Sequence, residues 1–291
     1  MVAAGHILSP EPGKLNAAST GPCTAIGADR PERCGYHIGM LNTIAHGTPT
    51  DRPPLLIAHG LYGSGRNWGV IAKRLSDDRQ VIAVDMRNHG ESAWTDSHTY
   101  ADLAADLAEV IVAFGGKMDV VGHSMGGKSA MMLALQHPEA VNRLVVADIA
   151  PVSYSHTQAH FITAMRSVDL ASVTRRSDAQ AQLAEAGVDA QLQSFFTQSL
   201  DIENRAWRLN LDVLERDMPH ILAFPEVETH WEGPALFLTG GESDYVKAED
   251  RDRIKTLFPK SRFAKIPGAG HWLHAENPRA FEATVRAFLD A

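Results

Sequence analysis

The chain has 291 residues, 44% of them hydrophobic and 21% charged, which is ample for a sizeable buried core. Its formal net charge of −8 excludes the concentrated basic surface that nucleic acid recognition requires, so no nucleic-acid partner is expected. No run approaches the roughly 18 to 20 apolar residues that span a bilayer, so no membrane span is expected either.

Residues 1–35 are rich in Gly, Ala and Pro, lack periodicity and contain both cysteines, Cys23 and Cys34. Pro10, Glu11 and Pro12 interrupt any apolar signal-peptide core. The stretch reads as a disordered extension, and Met40 opens a sequence that looks like a domain start. Cysteines confined to such a tail leave the domain independent of a disulfide, and a cytoplasmic location is expected.

Beyond it, short apolar runs alternate with helical patterns. LLIAHG at 55–60 and VIAVD at 81–85 are followed by 98–114, where Leu103, Leu107, Val110, Ile111 and Phe114 recur at helical spacing. MDVVGHS at 118–124 then leads into a helix over 125–136 closed by Pro138, and RLVVAD follows at 143–148. Runs of four to six apolar residues with little alternation suit strands buried on both faces of a parallel sheet. Residues 152–230 break the rhythm with helical patches and no convincing buried strand. ALFLTGG at 235–241, the strand-like RFAKI and a helix over 276–290 resume it. The expected fold is α/β, a mostly parallel sheet with helices on both faces. Its core comprises 36–151 and 231–291, and a helical cap or lid, 152–230, sits over the C-terminal strand ends where such sheets bind ligands. The apolar surface of that cap is a candidate homodimer contact.

Gly122-His123-Ser124-Met125-Gly126 stands where a strand turns abruptly into a helix. Such a turn strains the middle residue and presents its hydroxyl above the sheet, while flanking glycines allow close approach of the backbone. The helix N-terminus favours an oxyanion beside it. A serine needs a base, and among 14 histidines His271 in IPGAGHWLHAENP lies in a loop that reaches the same sheet edge. His274 is the rival, and His123 adjoins the serine but points away; packing or capping is expected of both. In LLIAHGLYGSG the strand ends at His59-Gly60, so the N–H of Leu61 pairs with that of Met125 as the anion site. No Lys-Ser/Thr follows GLYGSG, which argues against a phosphate loop.

HG at 59, DMRNHGES at 85, GHSMGG at 122 and GAGHW at 268 together resemble the α/β-hydrolase superfamily over residues 40–290. DMRNHG, GHSMGGK, DIAPV and AGHWLHAE resemble more closely a subfamily of small bacterial esterases and their mitochondrial serine-hydrolase relatives. The resemblance implies the α/β-hydrolase fold and carboxylic ester hydrolysis without a cofactor. It places the acid in the loop after ALFLTGG, where Ser243 occupies the usual position and Asp244 comes one residue late. An alternative acid position follows the preceding strand, and there the DIAPV motif supplies Asp148. Asp148 is preferred, with Asp244 the alternative and Ser243 a hydrogen-bond partner.

The expected chemistry is acyl transfer through an acyl-enzyme on Ser124, with His271 as base and Asp148 orienting it, acting on small-molecule esters. Thioester or carbon–carbon bond hydrolysis would reuse the same residues, and a catalytically inactive small-ligand-binding module is the alternative of another class. Haloalkane or epoxide chemistry would call for an aspartate at position 124. No cofactor and no metal are expected, because HWLH offers only His271 and His274 without a further ligand. Asp85, Arg87, Asn88 and Ser92 read as loop architecture, while Trp68, Trp207, Trp231 and Trp272 are packing residues or walls of an apolar pocket.

Overall fold

The computed structural model describes residues 34–291. In chain order, β1 (Cys34–Ile38), β2 (Leu41–His46) and β3 (Leu55–Ala58) lead to α1 (Gly69–Leu75) and β4 (Val81–Val84). Then follow α2 (Tyr100–Ala113), β5 (Met118–His123), α3 (Met125–Gln136) and β6 (Val141–Ala147). An insertion carries α4 (Ala159–Ser167), α5 (Arg176–Glu185), α6 (Ala190–Phe196), the short pair β7 (Leu200–Asp201) and β8 (Ala206–Trp207), α7 (Leu211–Arg216) and α8 (Met218–Leu222). The chain closes with β9 (Ala235–Gly240), α9 (Asp250–Leu257), β10 (Ser261–Ile266), α10 (Leu273–Glu276) and α11 (Pro278–Leu289).

Eight strands form one sheet in the order β1-β2-β4-β3-β5-β6-β9-β10. The β1–β2 and β2–β4 pairs are antiparallel, and every pair from β4 to β10 is parallel. This is the α/β-hydrolase arrangement expected above. Alternate residues of each central strand point to opposite faces, and both faces are covered. Leu55 and Ile57 pack with Ile71 and Leu75 of α1 and Phe281 and Val285 of α11. Leu56 and Ala58 belong to the opposite core, with Leu103 and Leu107 of α2 and Met131 of α3. Helix α2 starts where Thr99 accepts a hydrogen bond from the Asp102 N–H, an N-cap that satisfies one otherwise orphaned donor.

Two features were not legible as strands. In β2 only Leu41 and Thr43 are buried, alternating with half-buried neighbours, so this antiparallel margin of the sheet lacks the continuous apolar run of a central strand. Strand β1 is described from Cys34, two residues before the expected core boundary, so Cys34 belongs to a strand rather than to a tail. The extension expected over the preceding residues, with Cys23, lies outside the described residues. The insertion also contains the two-residue strands β7 and β8, which are too short to show in a hydropathy pattern. Among the described residues no helix is long and apolar enough to cross a membrane.

Candidate active site

Ser124 is the single residue between β5 and α3, with φ 53° and ψ −119°. A side-chain-bearing residue at positive φ is strained, and the surrounding glycines show what holds it there. A Cβ on Gly122 would stand 2.2 Å from the Gly126 carbonyl oxygen, and one on Gly126 would stand 2.4 Å from that of Ala58. The strand-to-helix reversal therefore requires both glycines, since backbone lies where side chains would go.

The Ser124 hydroxyl lies 3.1 Å from Nε2 of His271, whose Nδ1 lies 2.8 Å from Oδ2 of Asp148. Asp148 follows β6 directly and is fully buried. Its Oδ1 accepts from the Gly240 N–H at 2.9 Å, and its Oδ2 accepts a second bond from the Ser243 hydroxyl. A buried carboxylate with three donors is a satisfied anion, suited to hold one imidazole tautomer with Nδ1–H outward to it and Nε2 free to accept. Asp244, the alternative acid, is exposed and makes no bond to His271. His274 is turned away: its ring lies flat on Trp68, with centroids 4.1 Å apart. Among the described residues no group of three or more His, Cys, Asp or Glu could hold a metal ion.

The turn expected to form the anion site is shaped by His59 and Gly60. The Gly60 carbonyl accepts from Gly63 N–H at 3.0 Å and from His59 Nδ1–H at 2.8 Å, and His59 Nε2 accepts from Met86 N–H at 2.9 Å. Because the peptide is planar and trans, anchoring that carbonyl aims the Leu61 N–H the opposite way. Burial lowers the His59 pKa, keeping the ring in the neutral form that this donor-and-acceptor pattern needs. Among the described residues neither Leu61 N–H nor Met125 N–H has an acceptor, so two donors are left unpaired beside Ser124.

A cavity of about 380 Å³ opens over Ser124 and His271, lined by Tyr62, Trp68 and Trp272 from the core and by Phe161, Leu192 and Phe195 from the insertion. Trp207 and Trp231 are packing residues instead, both buried away from this cavity. The polar turn after β4 is architectural: Asp85 accepts from the Gly65 and Glu91 N–H groups at 2.7 and 2.9 Å, and Arg87 pairs with Asp106.

Of three further side chains at the site, Tyr245 and Lys128 escaped the sequence reading, while His123 was expected to pack or cap. Tyr245 stacks on His271 with ring centroids 3.9 Å apart and 19° between planes. His123, kept neutral chiefly by burial, donates from Nε2 to the His271 carbonyl at 2.8 Å and so fixes the backbone of His271. Lys128 is buried on α3, and its Nζ donates to the Leu222 and Ala223 carbonyls at 2.8 and 2.7 Å, at the end of α8. A charged residue on the buried face of an otherwise apolar helix was the available signal.

Burial pushes the Lys128 pKa down from 10.5 to about 7. Between those values the unfolded chain binds a proton that the folded chain does not, so stability rises with pH across that window. Relative to Lys128→Met, the wild type is therefore expected to gain about 1 kcal/mol per pH unit from pH 7 towards pH 10, measured by urea midpoints. Parallel curves for the two proteins would show that the ammonium carries no such penalty.

Residues 55–284 match the model of the Alpha/beta hydrolase family. The chain is 39% identical over 249 residues to the sn-1-specific diacylglycerol lipase ABHD11 of Mus musculus, covering 81% of each chain. It is 38% identical to Esterase YbfF of Escherichia coli, covering 81% of this chain and 93% of that one. A solved marine microorganism esterase superposes with a TM-score of 0.80 at 37% identity, covering 85% of this chain and 98% of that one. Family model, relatives matched along most of their length and superposed fold agree, and the chain belongs to the α/β-hydrolase family.

Proposed function

We propose that the chain is a serine-dependent carboxylic ester hydrolase acting on small acyl substrates. The observation that carries this reading is the unbroken contact series from Ser124 Oγ through His271 to Asp148, beneath an apolar cavity. Relatives named as esterases and as a lipase over four-fifths of the chain support it.

In acylation, Ser124 Oγ attacks the ester carbonyl carbon while His271 Nε2 takes its proton. The carbonyl oxygen becomes an oxyanion against the N–H groups of Leu61 and Met125. The carbon–alkoxide bond then breaks, and the alkoxide leaves as an alcohol with the proton from His271. Water, deprotonated by the same nitrogen, adds its oxygen to the acyl carbon; the bond to Ser124 Oγ then breaks, His271 returns the proton to Oγ, and the carboxylic acid leaves. Asp148 stabilises the transient imidazolium, and Tyr245 and His123 keep the ring in place. Residues 152–230 act as the cap, supplying the apolar roof of the cavity.

A short-chain p-nitrophenyl ester, tested beside an acyl thioester and a vinylogous diketone, checks this. Ester turnover exceeding the other two is expected. Preference for the thioester or diketone would reassign the same residues to thioester or carbon–carbon bond cleavage, and binding without any turnover would make the pocket a ligand module.

A further inference from the structure

Ser124 and Leu61 lie on the walls of two cavities, the large one already described and a second of about 30 Å³ on the α3 side. His271 and Trp272 line the large cavity and not the small one. The small one is walled by buried Tyr100, Met125, Lys128, Ile149 and Ile221, together with exposed His156 and half-buried Gln158. Its roof is tied down at the end of α8. Tyr100 donates to the Ile221 carbonyl at 2.7 Å, Lys128 donates to those of Leu222 and Ala223, and Tyr154 N–H donates to that of Leu222 at 3.0 Å.

Proton bookkeeping decides which half of an ester goes where. The proton taken from Ser124 must be delivered to the leaving oxygen, so that oxygen stands on the side that His271 lines. The water that later cleaves the acyl-enzyme needs the same nitrogen and enters as the alcohol departs. The large cavity, which reaches exposed His160 and half-buried Phe195 and Trp272, provides that route. The acyl group must stay in place between the two steps, and the cavity left for it, on the side His271 does not line, is the small one.

Resting on the ester-hydrolase reading, we propose that the small cavity receives the acyl substituent and the large cavity the alcohol. The substrates are then esters of short acids, of about two to four carbons, with longer apolar alcohols, because the small cavity has about 30 Å³ of free volume against about 380 Å³ for the large one. Ile149 and Ile221 set the acyl limit, because a longer chain must displace close-packed side chains.

The test measures kcat/KM for p-nitrophenyl acetate, butyrate, hexanoate and octanoate, and for ethyl and octyl acetate. A fall of about tenfold or more from butyrate to hexanoate is expected, with octyl acetate turned over at least as well as ethyl acetate. Ile221→Ala should raise the hexanoate-to-acetate ratio about tenfold, and Phe195→Ala should alter alcohol preference while leaving that ratio alone. Should Ile221→Ala fail to fold, Ile149→Val reads out the same ratio with a smaller change. Wild-type preference for long acyl chains, or an acyl ratio moved by Phe195→Ala and not by the isoleucine variants, overturns the assignment while leaving ester hydrolysis standing. Absence of turnover with every ester overturns both.

Discussion

Ser124→Ala is expected to lose ester hydrolysis by a factor on the order of 10⁵ or more in kcat, leaving a residue of catalysis from the anion site and binding. The loss should be chemical rather than structural. The hydroxyl's interaction is with His271, while the strained turn is held by the close backbone approaches at Gly122 and Gly126. A urea midpoint near that of the wild type, together with the lost burst of p-nitrophenol, would establish this. Undiminished hydrolysis would move the nucleophile elsewhere in the cavity.

Asp148→Asn is expected to lower kcat by about 10⁴, and Asp244→Asn to change it by less than about threefold. The reason lies in donor counting. Asp148 accepts from His271 Nδ1–H, the Ser243 hydroxyl and Gly240 N–H through its two oxygens. An asparagine offers one acceptor oxygen and a donor NH₂, so at least one of these N–H or O–H groups meets another donor. Relief is available if the imidazole shifts its proton to Nε2, the tautomer that cannot deprotonate Ser124. Steady-state rates of the two variants decide the matter, and a reversed order would make exposed Asp244 the acid.

How far the sequence could be read depended on the range of the interactions. The strands from β3 through β6 and β9 appear as short, largely apolar runs because a parallel strand covered on both faces has no solvent side to mark with polar residues. Helices α2 and α3 appear within two residues of their ends for the complementary reason, an apolar stripe or a Gly-rich start. The hairpin of β1 and β2 does not, because a half-covered margin alternates over too few residues to stand out. At the site, Ser124 was legible because its strain is created by residues two places either side. Lys128 and Tyr245 were not: what they bind, the end of α8 and the face of His271, lies 94 and 26 residues away in sequence, respectively.

The sequence by itself determined the alternation of strands and helices, the serine turn, the loop that carries His271 and the absence of any basic or membrane-spanning run, since each is written within a window of some twenty residues. Tertiary structure decided which of two carboxylates in adjacent loops meets His271. Strand order places β6 between β5 and β9, so the turn after β6 delivers Asp148 to the loop of His271, with Gly240 and Ser243 as its further donors. Tertiary structure alone also divided the space over Ser124 into a large and a small cavity, because their walls come from the core and the insertion together. Local sequence encodes the conformations that a short segment can adopt; which side chains share a solvent-free space depends on sheet order and packing, where residues far apart in the chain meet.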